Sequence, residues 1–245
     1  MIEINRIYCG NCLKLMEQIE DESIDCVLTS PPYNIGMNYD FYNDNLNWDE
    51  YYNFINKWLE FTFRILKNSG RLIIVLPENK KEPIYQKIIN LAINVGFNYH
   101  INIVWYKNKI TNRSAWGSWL SPSAPMVQPP FEYITILYKG NYKKEDKIDK
   151  ISDLTKKEFI EWTFGLWTIK DGDRIKGHPA TFPIELPKRC IKLFTYVDDL
   201  ILDTFCGCGS VPIMCKLLNR RFIGIELSKE YCDIANKRLA QEVLI

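Results

Sequence analysis

The segment Asp25-Cys26-Val27-Leu28-Thr29-Ser30-Pro31-Pro32-Tyr33-Asn34 runs an apolar strand straight into a polar turn built from two prolines and an aromatic ring. Proline has no amide donor and holds φ at about −65°, so two in succession leave carbonyls that a neighbouring strand does not readily claim. The pattern predicts open acceptors at the carboxyl end of a strand, where open α/β sheets bind ligands. Such acceptors suit one awkward nucleophile, the exocyclic amine of a nucleobase. Its lone pair is delocalised into the ring, and it attacks only when its hydrogens are drawn toward acceptors that favour a tetrahedral nitrogen. Ser30 Oγ and the Pro31 carbonyl are candidates for those acceptors. Pro32 completes the rigid turn, and Tyr33 is placed to stack on a base turned out of a duplex. Ser30 is not a candidate base, because an unassisted hydroxyl does not take a proton near neutral pH. The alternative is a rigid turn that merely caps a strand.

A second segment, Asp199 to Ser210, combines a short apolar strand ending at Asp203 with Thr204-Phe205-Cys206-Gly207-Cys208-Gly209 and then a helical pattern. Glycines at alternate positions before a helix allow a ligand to approach the backbone closely. Arg221 to Glu226 then ends another strand on a carboxylate, spaced to accept hydrogen bonds from a ribose diol. Dinucleotide enzymes share this logic, but the third glycine of their fingerprint is missing here.

The cysteines offer a competing chemistry. Cys9-x-x-Cys12 and Cys206-x-Cys208 together supply four thiols, enough for a tetrahedral zinc site, and a lone C-x-x-C pair can be redox-active. Both pairs end strands beside the expected ligand pocket, where a zinc ion would compete with the ligand, so no metal is expected. His100, within an expected strand, and His178, before Pro179, add little support for a metal or for histidine catalysis.

These residues need a scaffold. With 245 residues, 47% apolar and 25% charged, the chain is sized for one α/β core carrying an appendage. The start MIEINRIYCG lacks a targeting pattern, and no apolar run approaches the roughly 18 residues needed to span a bilayer, so a cytoplasmic protein with free thiols is expected. A net charge of +1 does not by itself announce a nucleic-acid binder, so any such affinity must come from local clusters. Lys107 to Arg113 holds three cations and no acid, whereas Lys139 to Lys150 interleaves lysines with acids and reads as a solvated surface.

Short apolar runs predict seven strands, near Arg6 to Tyr8, Ile24 to Leu28, Leu72 to Leu76, Ile101 to Trp105, Tyr133 to Tyr138, Leu200 to Asp203 and Phe222 to Glu226. Helical spacing predicts helices over Trp48 to Leu66, stopping at Asn68-Ser69-Gly70, and over Pro183 to Leu193, Val211 to Leu218 and Lys229 to Val243, the last behind Ser228 as N-cap. From Lys107 to His178 the alternation weakens, which predicts an irregular insertion crossed by one returning strand.

Thr29 to Tyr33 resembles the catalytic motif of amino-methyltransferases. Asp203 to Gly209 resembles their cofactor motif, and Gly224-Ile225-Glu226 their ribose motif. The order, catalytic before cofactor, is similar to that of the circularly permuted β group of DNA methyltransferases. His178 to Pro183 resembles the segment closing over the methionine end of the cofactor, Tyr8 to Leu13 the strand end near the adenine, and Gly70 to Pro77 the strand after the catalytic motif. Asn11 departs from the Asp common in relatives.

The resemblance implies a Rossmann-like S-adenosylmethionine-dependent methyltransferase fold. Its sheet is mixed, mainly parallel and seven-stranded, with helices on both faces. It implies a catalytic half at residues 1–106, a target-recognition insertion at 107–177 and a cofactor half at 178–245. S-adenosyl-L-methionine would be held by Asn11, Cys12, Thr29, Phe182, Pro183, Asp203, Phe205, Cys206, Gly207, Gly209, Glu226 and Leu227. Duplex DNA would be gripped by Lys107, Lys109 and Arg113. Ser30 favours N4 of cytosine as target, with N6 of adenine the alternative, since the adenine enzymes more often carry Asp or Asn there. A cognate restriction endonuclease is a possible partner, and a monomer or homodimer is expected. An RNA or protein methyltransferase, a NAD-binding oxidoreductase and a non-catalytic DNA-binding regulator stay open as rivals.

Overall fold

A computed structural model describes residues 2–37, 43–79, 82–107, 117–127, 129–144, 150–170 and 182–241. The first half contributes β1 (Arg6–Cys9), α1 (Cys12–Met16), β2 (Ile24–Thr29), α2 (Trp48–Ile65), β3 (Leu66–Pro77), α3 (Ile84–Val95) and β4 (Asn98–Tyr106). Then come β5 (Phe131–Tyr138), α4 (Lys156–Trp162), β6 (Leu166–Thr168), α5 (Glu185–Phe194), β7 (Leu200–Asp203), α6 (Ser210–Leu217), β8 (Arg221–Glu226) and α7 (Lys229–Ala240). All described strands join one sheet in the order β1-β8-β7-β2-β3-β5-β4-β6. Only β5 runs against the rest.

Strand β3 shows why both faces must be covered. Leu72, Ile74 and Leu76 enter one core with Ile55, Trp58 and Leu59 of α2 and Ile88 and Ala92 of α3. The alternate residues Ile73 and Val75 enter a second core with Cys190 and Ile191 of α5 and Val211 and Met214 of α6. A strand buried on both faces reads as a continuous apolar run, as this one does. Among the described residues no helix is long and apolar enough to cross a membrane.

The expected seven strands are all present, and an eighth, β6, corrects the count. It lies inside the supposedly irregular insertion, where Trp167 is buried and donates its indole N–H to the Trp162 carbonyl at 3.0 Å. α4, just before it, opens on a capping box between Thr155 and Glu158, a Thr-x-x-Glu start signal carried by the sequence itself. α3 likewise adds to the expected helices. It runs from Pro83 to the left-handed Gly96 (φ 122°) with Ile84, Ile88, Ile89 and Ala92 buried.

Helix α2 does not continue to the Asn68-Ser69-Gly70 break. It ends at Ile65, Leu66 is already extended, and the break is a bulge within β3. Ile24 pairs with Leu66 but Cys26 pairs with Arg71, so residues 67–70 bulge out of the register. Ser69 takes up the turn at φ 58°, and Lys67 Nζ anchors the bulge on Asp25 at 2.8 Å.

The lysine-rich stretch after β5 is not merely a solvated face. Lys144 and Lys150 both pair with Asp199, whose side chain is 2% exposed, and Lys139 pairs with Glu22 at 3.0 Å. Burial pushes the Asp199 carboxyl upward, but the two ammonium groups and the Tyr196 amide outweigh it and hold the group below its ordinary value. Lys144 and Lys150 strap the stretch after β5 to the start of β7.

Candidate active site

Sheet order brings the two chemically suggestive segments side by side. β2 and β7 are hydrogen-bonded neighbours, so the turn after Thr29 and the turn after Asp203 emerge at the same carboxyl edge. Thr29 Oγ1 donates to Asp203 Oδ1 at 2.6 Å, and the Phe205 amide donates to the same oxygen at 3.2 Å. Burial raises the Asp203 carboxyl to about 7, opposed by these two donors and assisted by the field of Glu226. The linked pair ties the proline turn to the glycine turn.

Within the proline turn, Ser30 Oγ donates to Tyr33 Oη at 2.7 Å. Tyr33 Oη in turn lies 3.4 Å from both the Val75 carbonyl and Glu132 Oε2. The expectation of open carbonyls holds for only one of the two prolines. The Pro32 carbonyl accepts from Tyr51 Oη at 2.8 Å, because the aromatic stripe of α2 packs directly beneath the turn. Among the described residues the Pro31 carbonyl has no such donor. Past the turn, Asn34 sits at φ 56°, and the amides of Asn34, Ile35 and Met37 all donate to the Asp44 carboxylate, at 2.8, 3.1 and 2.9 Å.

The glycine turn is fixed from both sides. Gly207 and Gly209 adopt φ 49° and 83°, and a Cβ on Gly209 would come within 3.0 Å of Ala235. Phe205 packs against Trp58 and Phe54 of α2 at centroid distances of 5.6 and 6.2 Å, while the Trp58 indole donates to Thr204 Oγ1 at 3.0 Å. Glu226 ends β8 beside this turn. Its oxygens accept from the Gly207 and Ser228 amides, each at 2.8 Å, and burial raises its carboxyl despite these donors. The Leu227 amide also reaches this carboxylate, and of its roughly four lone-pair directions at least one stays open.

The other expected ligand-binding positions surround the same edge. Phe182 and Pro183 precede α5, with the Phe182 carbonyl accepting from Ser210 Oγ at 3.1 Å and the Phe182 ring edge-on to Trp105. Asn11 caps α1, its side-chain oxygen accepting from the Leu13 and Lys14 amides, so that oxygen is committed to the helix start. Leu227 is 42% exposed, and its carbonyl accepts from the Cys9 thiol at 3.7 Å. Cys12, Cys206 and Cys208 are buried; burial raises the Cys12 thiol to about 12 and lifts Cys206 and Cys208 as well. His178, Lys109 and Arg113 lie outside the described residues. Lys107 is described and is paired with Glu132, its ammonium 4.8 Å above the Trp105 ring.

A glycine turn, a strand-ending carboxylate and a proline turn thus share one sheet edge. The family model described as DNA methylase, covering N6 and N4 amino-methylases, matches residues 24–237. This chain belongs to that DNA methylase family. Type II methyltransferase M.MjaVI of Methanocaldococcus jannaschii is 43% identical over 170 residues, covering 68% of this chain and 87% of the relative. Type II methyltransferase M.HpaI of Haemophilus parainfluenzae is 31% identical over 249 residues, covering 97% and 74%. Among solved structures, a putative DNA modification methylase of Thermus thermophilus, TTHA0409, complexed with S-adenosyl-L-methionine, superposes with a TM-score of 0.76 at 24% identity, covering 98% of this chain and 94% of that one. The PvuII cytosine-N4-specific DNA methyltransferase does so with a TM-score of 0.71 at 23% identity, covering 98% and 87%. At these identities the structural likenesses establish the fold alone.

Several residues that frame this carboxyl edge fall outside the expected set. Asp44 and Glu132 carry no motif or periodic signal. Thr204 and Trp58 lie within recognised segments, yet nothing in their spacing announces a bond between positions so far apart in the chain.

Proposed function

We propose that this methylase is a β-group, permuted-order enzyme that uses S-adenosyl-L-methionine to methylate N4 of cytosine in duplex DNA, within a Type II modification system. The observation that carries the proposal is the Thr29–Asp203 bond, which joins the proline turn rigidly to the glycine turn. Two groups that must meet in one reaction therefore stand on one frame. The residues present suit the cofactor: left-handed glycines open the backbone at 207 and 209, and Glu226 retains acceptor capacity for a ribose diol. Asn11, Cys12, Phe182, Pro183, Phe205, Cys206 and Leu227 line the remaining approaches. When bound, the cofactor supplies an electrophilic methyl on a sulfonium.

The chain supplies orientation. The Pro31 carbonyl and Ser30 Oγ accept the amine hydrogens and draw the nitrogen toward tetrahedral geometry, while Tyr33 stacks on the flipped base. No covalent enzyme intermediate and no side-chain base are needed, because the proton leaves to water. Serine at position 30 supports the cytosine assignment. Lys109 and Arg113 supply phosphate contacts.

The test is incubation with tritiated S-adenosylmethionine and mixed-sequence duplex DNA, followed by nucleoside analysis, with Ser30→Ala alongside. The expected label is N4-methylcytosine, and Ser30→Ala should cut turnover while leaving cofactor affinity intact. Label on N6-methyladenine would keep the enzyme class and discard the serine argument. No label on any duplex would overturn the DNA assignment.

A further inference from the structure

We propose that Glu132 is the positioning residue that makes Ser30 a hydrogen-bond acceptor toward the target amine, with Lys107 holding it in place; this rests on Ser30 serving as that acceptor. Glu132 lies near the start of β5, opposite Pro77 of β3 and Trp105 of β4, at the carboxyl ends of both. Its side chain is 12% exposed. One carboxylate oxygen takes the Lys107 ammonium, which also sits over the Trp105 ring, and the other lies 3.4 Å from Tyr33 Oη. Tyr33 Oη is 2.7 Å from Ser30 Oγ.

The polarity of this chain follows from hydrogen-bond inventory. A carboxylate paired with an ammonium only accepts, and the second group facing Tyr33 Oη, the Val75 carbonyl, also only accepts. The tyrosine proton is therefore drawn toward Glu132 or Val75 and away from Ser30, in line with Ser30 Oγ donating to Tyr33 Oη. Ser30 must then donate its single proton to Tyr33, which leaves its lone pairs for the N–H groups of the amine. Had Tyr33 donated to Ser30 instead, the serine proton would be released toward the substrate and would oppose the donors it has to receive. Glu132 thus acts through Tyr33 without touching the substrate. Lys107, one of three cations expected to grip phosphate, is assigned to this network.

Glu132→Gln tests this at constant volume, because the amide introduces a donor able to reverse the chain. The expected result is a kcat about tenfold lower, the scale of one oriented hydrogen bond. The KM for duplex DNA and the affinity for S-adenosylmethionine should each stay within about twofold, the split expected when an interaction acts only in the transition state. In a Tyr33→Phe background, which keeps the stacking ring, the same substitution should have no further effect. Wild-type kcat in Glu132→Gln, or an equal loss in both backgrounds, would overturn the proposal. Lys107→Met is the second variant, should Glu132→Gln fail to fold. A lower kcat with unchanged DNA affinity supports the network, whereas weaker DNA binding with kcat intact overturns it. Ser30→Ala separates the layers. Full activity in Ser30→Ala removes the underlying reading and the proposal with it, while an inactive Ser30→Ala beside an unimpaired Glu132→Gln overturns the proposal alone.

Discussion

Replacing Asp203 with Asn should change how the stability of this methylase depends on pH. The Asp203 carboxyl is raised from 3.8 to about 7 by burial, with Glu226 adding to the rise and the Thr29 hydroxyl and Phe205 amide opposing it. In the unfolded chain it ionises near its ordinary value. Between roughly pH 4 and 7 the folded state therefore binds more protons than the unfolded state, and stability must fall as pH rises. The contribution is complete below the unfolded value and lost as pH passes through the folded one. A displacement of about three units corresponds to about 4 kcal/mol at 1.36 kcal/mol per unit. Asparagine does not titrate, and its side-chain oxygen can still accept from Thr29 and Phe205.

Urea unfolding followed by tryptophan fluorescence, for both proteins at steps from pH 4 to pH 8, isolates this group because the other titrations largely cancel in the difference. Wild type should lose up to about 4 kcal/mol relative to Asp203→Asn across that range. A difference that stays constant with pH would mean that Asp203 is ionised throughout, and the argument from burial would fail.

Two further outcomes follow from the geometry. Asp44→Ala removes an acceptor shared by three backbone amides and should destabilise the fold by about 2 to 4 kcal/mol, read as a lower urea midpoint with faster proteolytic nicking after Asn34; an unchanged midpoint would show those amides satisfied without it. Lys109→Ala with Arg113→Ala should weaken binding to specific and unrelated duplexes alike and flatten the log–log salt slope by about 2, and an unchanged slope would remove both residues from the DNA grip.

The sequence by itself determined the local pieces of this protein. Strand β2 entering Ser30-Pro31-Pro32-Tyr33, the glycine turn after Asp203 and the carboxylate ending β8 are each contained within about ten residues, and their conformations follow from proline, glycine and apolar alternation. α3, α4 and their caps are local in the same sense, signalled by Pro83, Gly96 and the Thr155–Glu158 spacing, although they fall outside the expected helices. Tertiary structure alone decided which local pieces meet. Thr29 and Asp203 are separated by 174 positions and Tyr33 and Glu132 by 99. Their contacts exist because β2 lies between β7 and β3, and because β5 returns antiparallel with Glu132 opposite Pro77. An isolated carboxylate such as Glu132 or Asp44 has no period and no fixed spacing to its partner. Its role comes from strand order and register, which are set by burying both faces of the sheet at once and not by any property of the neighbouring residues.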